Sequence, residues 1–412
     1  MSYFKPIAAA AIAVMALNLA TAGPAVSKVE GDTITLGAAV SFSGRYAVNG
    51  KHTKNGYDLG VKRLNEMGGI TVGGKKYKFA VKYYDDESTA ARATQLAERL
   101  IKQDKITFVL GPYSSGMTKA VAPVVEKYKI PMVEGNGASR SIFNQGFRYT
   151  FAVLSTSEQY LKSAIDLAAE QAKKNGKDPS SVRVAVGVRN DPFSLDIGVG
   201  IREDAARYGM KLVVDEKFPK EVTDMTTFLT KVKALKPDVV VVSAHTLGAA
   251  LFVRQIHEQK VNAPMIAITH CEAAKVTDQE KFGTVAEGIL CAGQWAPELS
   301  YSDKWFGSAM DYSKTFEKEY GYVPPYQAAE STAALLVYAD AIERSNSFDL
   351  EKVRDSLAAT DMQTFYGNIK FSKAGNNIAK PMILRQIQNG EYKLVAPLKW
   401  AAAELVYPRK PQ

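Results

Sequence analysis

Small and hydroxyl-bearing residues follow two neighbouring apolar runs, and together they are suited to binding a negatively charged group. Thr107 to Leu110 has the pattern of a buried parallel strand, and Ser114 and Ser115 then open a segment with helical spacing. Residues 131–133 predict the next strand, which leads into a loop of small residues at 135–139. Free N–H groups and the positive end of the dipole at a helix start attract anions. We interpret the two loops as half of a ligand cleft; a plain strand-to-helix turn with a serine cap is the alternative.

Two nucleotide-binding motifs are approached in this region, and neither is complete. Residues 111–118 read G-x-x-x-x-G-M-T, with Met117 at the position where a phosphate-binding loop needs lysine. Gly135 and Gly137 begin a dinucleotide fingerprint, but Arg140 stands in place of its third glycine. The sequence therefore predicts an anion site without nucleotide chemistry, and no cofactor.

Strands and helices alternate along most of the chain, which is typical of a doubly wound α/β fold. The 412 residues are 46% hydrophobic, enough for a large core and for two domains. In the first half, strands are predicted at 34–40 and 77–84, with a helix at 89–103. The pattern restarts near Phe151, and a second parallel sheet is predicted from strands at 183–188, 211–218, 239–243, 265–269 and 289–293.

The last third of the chain is less regular. Helices are predicted at 305–320 and 327–345, and a hairpin around Asn389-Gly390 joins strands at 382–388 and 392–395. The polar tail from Pro408 is predicted to be loose.

The N-terminus has the features of a secretory signal peptide at residues 1–22. Lys5 precedes an apolar run from Ile7 to Leu19, which is shorter than a membrane-spanning helix, and 20–22 offer a small-x-small cleavage site. We therefore expect an exported protein that is retained in a bacterial periplasm.

The chain has two cysteines, Cys271 and Cys291, and neither lies near the cleavage site where a lipid could be attached. In an oxidising compartment they could form a disulfide. Both lie on or just beyond strands that are expected to be neighbours in one sheet, and buried free cysteines are common, so a pair of free thiols is the alternative. The spacing of cysteine and histidine gives no metal site.

Charge and motif content argue against nucleic-acid binding and catalysis. The formal net charge is +9, but the 52 basic residues form no basic run or basic–aromatic stripe. The sequence shows no nucleophile elbow, zinc-protease motif or paired catalytic set, and histidine is scarce, with 4 in the chain. We expect a protein that is not an enzyme.

Several segments together resemble a known family, the solute-binding proteins of ABC transporters of the leucine/isoleucine/valine type. They are GAAVSFSGRYAVNG (37–50), NGYDLGVKRLNEMGGI (55–70), YYDDESTAARATQLAERLI (83–101), VLGPYSSGMT (109–118) and VEGNGAS (133–139). The resemblance implies the type I periplasmic fold: two doubly wound lobes joined by three hinge crossings. Lobe one would comprise 32–153 plus 297–370, and lobe two 154–296 plus 371–405.

On lobe one, the resemblance assigns ligand contacts to both loops. Ser115, beside Ser114, matches the serine that binds the carboxylate of an amino acid in this family, and Gly137 and Ser139 match ligands of the following loop. Asn49 stands where relatives have an aromatic residue over the ligand.

On lobe two, Phe193 matches a tyrosine that packs on the ligand, and His245 or Thr246 matches another. Glu272 lies near the acid that receives the α-ammonium group. Each has a structural alternative: Phe193 as core, and His245 as a buried histidine with satisfied hydrogen bonds.

The resemblance predicts a monomeric substrate-binding component that captures a branched-chain or similar amino acid and delivers it to a membrane permease. An aromatic or aliphatic carboxylic acid is the alternative ligand, because Asn49 departs from the family and Glu272 lies near, not at, the family's acidic position. A ligand-sensing domain of the same fold is the alternative role.

Overall fold

The computed structural model describes residues 1, 29 and 31–410. Apart from Met1, the predicted signal peptide lies outside the described residues. Within the described part of the chain, no helix combines the length and apolarity needed to cross a bilayer.

The first sheet is formed by six strands before residue 153. They are β1 (Thr33–Val40), β2 (Ile70–Val72), β3 (Lys75–Asp85), β4 (Val109–Leu110), β5 (Met132–Glu134) and β6 (Thr150–Ala152). Their order across the sheet is β2-β3-β1-β4-β5-β6, and all pairs are parallel except the β2–β3 hairpin. The predicted strand at 107–110 is shorter in the structure, where β4 begins at Val109.

Helices cover the first sheet from both the N-terminal part and the last third of the chain. The N-terminal set is α1 (Ala47–Glu66), α2 (Ala90–Lys102), α3 (Ser115–Tyr128) and α4 (Arg140–Phe143). The chain then enters the second unit through α5 (Lys162–Lys174).

The second sheet begins with β7 (Arg183–Arg189), β8 (Lys211–Phe218), β9 (Val239–Ser243), β10 (Met265–Thr269) and β11 (Leu290–Gly293). The helices between them are α6 (Pro192–Arg207), α7 (Thr226–Leu235), α8 (His245–Glu258), α9 (Cys271–Ala274) and α10 (Gln279–Phe282). The continuous burial of β9 and β10, which are rich in valine and isoleucine, is typical of central parallel strands.

The chain then returns to the first sheet and crosses once more to the second. Two short ribbons, β12 (Ser302–Asp303) with β13 (Gly307–Ser308) and β14 (Asp361–Thr364) with β15 (Gly367–Lys370), flank α11 (Ala309–Tyr320), α12 (Tyr326–Ser345) and α13 (Leu350–Ala358). Finally, β16 (Ile383–Gln388) and β17 (Glu391–Ala396) extend the second sheet, whose order is β17-β16-β11-β10-β9-β7-β8.

The chain therefore passes three times between two sheet-based units. We call the first sheet with α1–α4 and α11–α13 the first lobe, and the second sheet with α5–α10 the second lobe. In the first lobe, α12 lies directly on α1: a Cβ at Gly56 would come within 2.2 Å of the Ala328 carbonyl oxygen, so that contact requires glycine. This architecture confirms the predicted α/β class with two doubly wound lobes.

Two local predictions were wrong. The helix predicted from residue 305 begins at Ala309, where Ser308 and Asp311 form a reciprocal capping box. The tail is not loose at Arg409, which is buried and donates to the carbonyl oxygen of Glu287 at 2.8 Å.

Candidate functional site

The two predicted anion loops meet at the carboxyl ends of β4 and β5. Ser114 caps α3 by accepting a hydrogen bond from the Met117 N–H group, and its backbone has a φ of +86°, which is rare for a residue with a side chain. Ser115 Oγ accepts a hydrogen bond from the Ser139 N–H group at 3.0 Å. Parallel topology therefore brings the two serines into direct contact, as expected from their positions after adjacent strands.

A carboxyl group of the chain itself lies in the second loop. Oε2 of Glu134 accepts hydrogen bonds from the N–H groups of Asn136 at 2.7 Å and Gly137 at 2.5 Å, while its buried Oε1 has no partner. Burial raises the pKa of Glu134 to about 8, so its carboxyl group is predominantly neutral at pH 7. The N–H group of Gly137, which the resemblance assigns to the ligand, is thus already paired.

Gly137 is fixed by its surroundings. A Cβ at this position would lie 2.5 Å from Oγ1 of Thr118 and 2.7 Å from its Cβ, so a larger residue would displace α3. The buried Thr118 Oγ1 and Asn136 Oδ1 also lack hydrogen-bond partners.

The lobes touch through a network centred on the hydroxyl group of Tyr113. Tyr113 in the first lobe lies 3.2 Å from Nδ1 of His245 and 3.1 Å from Nε2 of His270, both in the second lobe. Asn49 donates to the Tyr113 hydroxyl at 2.5 Å and accepts from Thr246 Oγ1 at 3.0 Å. Asn49, His245 and Thr246 are thus brought together, and Tyr113 connects them to the serine loop.

An aspartate fixes the direction of hydrogen bonding in this network. Oδ1 of Asp191 lies 3.2 Å from Nε2 of His245, and Oδ2 accepts from Nε of Arg189 at 2.6 Å. Burial acts to raise the pKa of Asp191, but His245 and Arg189 lower it by more than burial raises it. The carboxylate is therefore ionised. Because an ionised carboxylate only accepts, Nε2 of His245 donates to it, and Nδ1 is left to accept from Tyr113.

Both histidines are neutral at pH 7. Burial lowers the pKa of His245 against the opposing effect of Asp191, and burial lowers that of His270 well below its usual value. Since Tyr113 donates to His245, its oxygen accepts from Asn49 and from Nε2 of His270. His270 Nδ1 then accepts from Thr269 Oγ1, 3.1 Å away.

Aromatic rings surround this network from both lobes. The ring of Phe193 lies 5.1 Å from that of His245 and 5.0 Å from that of Tyr160, and Tyr46 lies 5.4 Å from Tyr113. Phe193 is therefore buried against the second-lobe side of this network. Edge-to-face and tilted contacts of this kind are the usual arrangement of buried aromatic pairs.

Glu272, the predicted acceptor of an ammonium group, lines a cavity of about 490 Å³ that has walls from both lobes. His52 and Pro325 contribute from the first lobe, and Trp295 lies where the chain leaves the second sheet. Glu272 forms an ion pair with Arg385 of β16, which also lines the cavity.

A disulfide fixes the segment that carries Glu272. Cys271, the first residue of α9, is bonded to Cys291 of β11, with Cα atoms 5.8 Å apart. The sequence left this bridge and a pair of free thiols as alternatives; the structure contains the bridge. No group of three or more histidine, cysteine or acidic residues in the described chain is arranged to hold a metal ion.

A third polar cluster joins the three crossings between the lobes. The Ser155 N–H group donates to Oε1 of Gln294 at 3.2 Å, and Nε2 of Gln294 donates to the Ser155 carbonyl at 2.8 Å. The buried Nζ of Lys380 donates to the Gln294 carbonyl, and the Ser155 hydroxyl donates to the Lys380 carbonyl. Burial lowers the pKa of Lys380 to about 7.

Sequence reasoning missed His270, Arg189, Asp191 and Arg385. Asp191 and His270 follow strands β7 and β10, so the rule that sites collect at strand ends could have indicated them. Arg385 interrupts the apolar strand β16, and a buried charge in such a strand is the signal that was available.

Comparison with known proteins identifies the family. The model of the periplasmic binding protein family matches residues 33–391, and the chain belongs to that family. It is a ligand-binding protein and not an enzyme.

Individual relatives are distant but cover almost the whole chain. The Leu/Ile/Val-binding protein homolog 7 of Brucella suis biovar 1 (strain 1330) is 23% identical, over 97% of this chain and 98% of its own. The branched-chain amino acid transporter substrate binding protein LivJ from Streptococcus pneumoniae, solved in complex with isoleucine, is 23% identical with a TM-score of 0.75, covering 91% and 100% of the two chains. A solute binding protein of an ABC transporter from R. palustris, solved with benzoate, is 19% identical with a TM-score of 0.74, covering 91% and 98%.

Proposed function

We propose that this protein is the substrate-binding component of an ABC importer and that it captures an α-amino acid with an apolar side chain between its lobes. It would act in the periplasm after removal of residues 1–22 and deliver its ligand to a membrane permease. Relatives named for leucine, isoleucine and valine binding, and a structural neighbour solved with isoleucine, support this proposal.

The observation that carries the proposal is the position of Glu272. Its carboxylate lines a cavity with walls from both lobes, and Oε2 has no hydrogen-bond partner. A buried carboxylate oxygen of this kind is a suitable acceptor for an ammonium group. Ligand contacts are proposed for Asn49, Ser114, Ser115, Gly137, Ser139, Phe193, His245 and Glu272. Of these, Glu272 lines the cavity of about 490 Å³, and the other seven lie at the serine loops and around the Tyr113 network.

A carboxylic acid without an amino group is the second candidate ligand. The buried acids near the lobe interface have little capacity for an ammonium group. Both oxygens of Asp191 are engaged, by Arg189 and His245, and burial keeps Glu134 neutral. Glu272 is itself paired with Arg385 through Oε1, which leaves Oε2 as its unpaired oxygen. The surrounding rings would also accommodate a planar ligand, and a structural neighbour was solved with benzoate.

Matched ligands separate the two candidates. Thermal unfolding and calorimetry of the exported protein, after denaturation and refolding to remove bound solute, would compare L-leucine with 4-methylpentanoate, which lacks only the amino group. A ligand at a hundred times its Kd stabilises a protein by about 2.7 kcal/mol, and we expect L-leucine, L-isoleucine or L-phenylalanine to raise Tm. If only acids without an amino group do so, the second candidate is correct. If no compound of either class does so, the proposal fails.

Delivery requires a genetic test. Deleting the gene should abolish saturable uptake of the amino acid found to bind, and restoring it should recover uptake. Unchanged uptake at low solute concentration would contradict a transport role.

A further inference from the structure

Arg140 is a residue of the incomplete dinucleotide fingerprint that the proposed function does not use. It stands where the fingerprint has its third glycine, and it directly follows Ser139, the N-cap of α4. The hydrogen bonds of its guanidinium group go to Asp196 and Glu203, which both lie on α6 of the second lobe. The charge of Arg140 is therefore used between the lobes.

One carboxylate of the second lobe holds both the main chain and the side chain of Arg140. Oδ2 of Asp196 accepts a hydrogen bond from the Arg140 N–H group, and Oδ1 accepts one from Nε, each at 2.9 Å. Oδ2 also accepts from the hydroxyl group of Ser157 at 2.7 Å, and 11% of the Asp196 side chain is exposed. Charge-assisted hydrogen bonds to both oxygens of a mostly buried carboxylate are strong and directional. They fix the start of α4 against α6.

The charges that meet at this contact are complementary. Besides Asp196, Oε2 of Glu158 lies 3.6 Å from Nε of Arg140, and Oε2 of Glu203 lies 3.4 Å from Nη1. On the first-lobe side, Lys119 of α3 donates to a hydroxyl group of α4 at 3.2 Å. Three carboxylates therefore face a guanidinium group and a neighbouring ammonium group, which favours bringing the two lobes together at this point.

Both peptide groups that flank Ser139 are held by residues beyond the first crossing between the lobes. The carbonyl oxygen of Ala138 accepts a hydrogen bond from the Ser157 N–H group at 2.8 Å. The N–H group of Arg140 is bound by Asp196. Ser139 contributes its N–H to the first of these peptide groups and its carbonyl to the second, and each peptide group is planar. Ser157 and Asp196 together therefore orient Ser139.

We propose that Asp196 is a positioning residue for ligand capture: from the second lobe it holds the chain at Arg140 and so sets the orientation of Ser139 in the first lobe. This inference rests on the proposed function, in which Ser139 contacts the ligand. Asp196 acts through its neighbours and touches no ligand itself. The serine loop reaches its binding geometry when α4 and α6 are together, so lobe closure and ligand binding favour each other.

Calorimetry with L-leucine, L-isoleucine and L-phenylalanine measures the effect on binding. Asp196→Ala removes the acceptor for both groups of Arg140, and we expect it to weaken binding about tenfold or more. The guanidinium group keeps its contact with Glu203, so the substitution leaves no isolated charge. Asp196→Asn retains an oxygen that can accept from the Arg140 N–H group, and we expect it to recover part of the lost affinity.

The matched control is Asp215→Ala. Asp215 accepts from Arg202 of α6 at 2.6 Å, so this substitution also removes the carboxylate partner of an arginine at the same helix, but the pair lies wholly within the second lobe. We expect the affinity of this variant to equal that of the wild type. A loss as large as that of Asp196→Ala would overturn the positioning role.

Hydrogen–deuterium exchange tests the positioning without any ligand. Peptides that cover residues 135–141 should exchange faster in Asp196→Ala than in the wild type, and Asp215→Ala should leave this segment unchanged. A general loss of stability would raise exchange throughout the protein core, whereas loss of positioning raises it in this segment. Exchange is therefore compared segment by segment at equal temperature and pH.

The outcomes separate the positioning role from the proposed function. If the wild-type protein binds an amino acid and Asp196→Ala binds it equally well, the positioning role is overturned and the function stands. Unchanged exchange at 135–141 in Asp196→Ala would overturn it as well. If the wild-type protein binds none of the three amino acids, the proposed function is refuted, and the exchange measurement still decides whether Asp196 holds the serine loop.

Discussion

Replacing Glu134 with glutamine should stabilise the protein, and the stabilisation should grow with pH. The side chain is fully buried, and burial raises its pKa from 4.5 to about 8. A raised pKa means that the folded state favours the neutral acid. Below pH 4.5 the carboxyl group is neutral in both the folded and the unfolded state, so its burial does not lower the unfolding free energy. As the pH rises from 4.5 towards 8, the unfolded state ionises while the folded state does not, and the unfolding free energy falls progressively. Glutamine has nearly the same shape and stays neutral, so it escapes this loss.

The magnitude follows from the pKa difference. Each unit corresponds to about 1.4 kcal/mol, so the gain in unfolding free energy from Glu134→Gln should be about 1 kcal/mol at pH 5 and about 3 kcal/mol at pH 7. It should level off near about 5 kcal/mol above pH 8. The glutamine oxygen can still accept from the N–H groups of Asn136 and Gly137. Ionisable groups facing Glu134 are Glu330, Tyr57, Tyr160 and Tyr366, and both proteins share them.

Urea unfolding of both proteins at pH 5, 6, 7, 8 and 9 measures this difference in unfolding free energy. The glutamine amide does not titrate, so any contribution of its own is the same at every pH and does not alter the pH dependence of the difference. Asp86→Asn provides a matched control with a different window. Burial raises the pKa of Asp86 to about 6 from 3.8, so its difference should rise below pH 6 and be flat above it. A gap for Glu134→Gln that does not change between pH 5 and pH 8 would refute a neutral buried carboxyl.

Three further substitutions have direct structural consequences. Replacing both Cys271 and Cys291 with serine opens a loop with a sequence separation of 20 and should lower the unfolding free energy by about 3 kcal/mol, measured by denaturation; equal stability of the two proteins would exclude a formed bridge. Gly137→Ala should cost about 1–3 kcal/mol through overpacking against α3, whereas Gly116→Ala, with its nearest atom 3.8 Å away, should not destabilise; similar melting temperatures would contradict the tight contact. Asn49→Ala removes a hydrogen bond between the lobes and should weaken ligand affinity by about 1 kcal/mol in calorimetry. Unchanged affinity would contradict this expectation.

Local patterns were sufficient to predict how the serine loops are built. Apolar β-branched runs form parallel strands, and the carboxyl ends of parallel strands lie at one edge of a sheet. The contact between Ser115 and Ser139 follows from that rule. The start of α11 was also readable, because Ser308 and Asp311 carry the capping-box spacing that the broader helical pattern obscured.

Contacts between the lobes could not be predicted in this way. Tyr113 meets His245 and His270 only because the edges of two different sheets approach each other, and no periodicity in the sequence encodes that approach. The pairing of Glu272 with Arg385 depends likewise on β16 joining the second sheet beside β11 late in the chain.

The sequence by itself determined the fold class, the family and the two loops, because these depend on local hydrophobic periodicity and on residues close together in the chain. Only the tertiary structure decided which donors are already used, which acid is neutral, and where Glu272 lies. These properties depend on burial and on partners from distant segments, and burial is set when the two lobes pack.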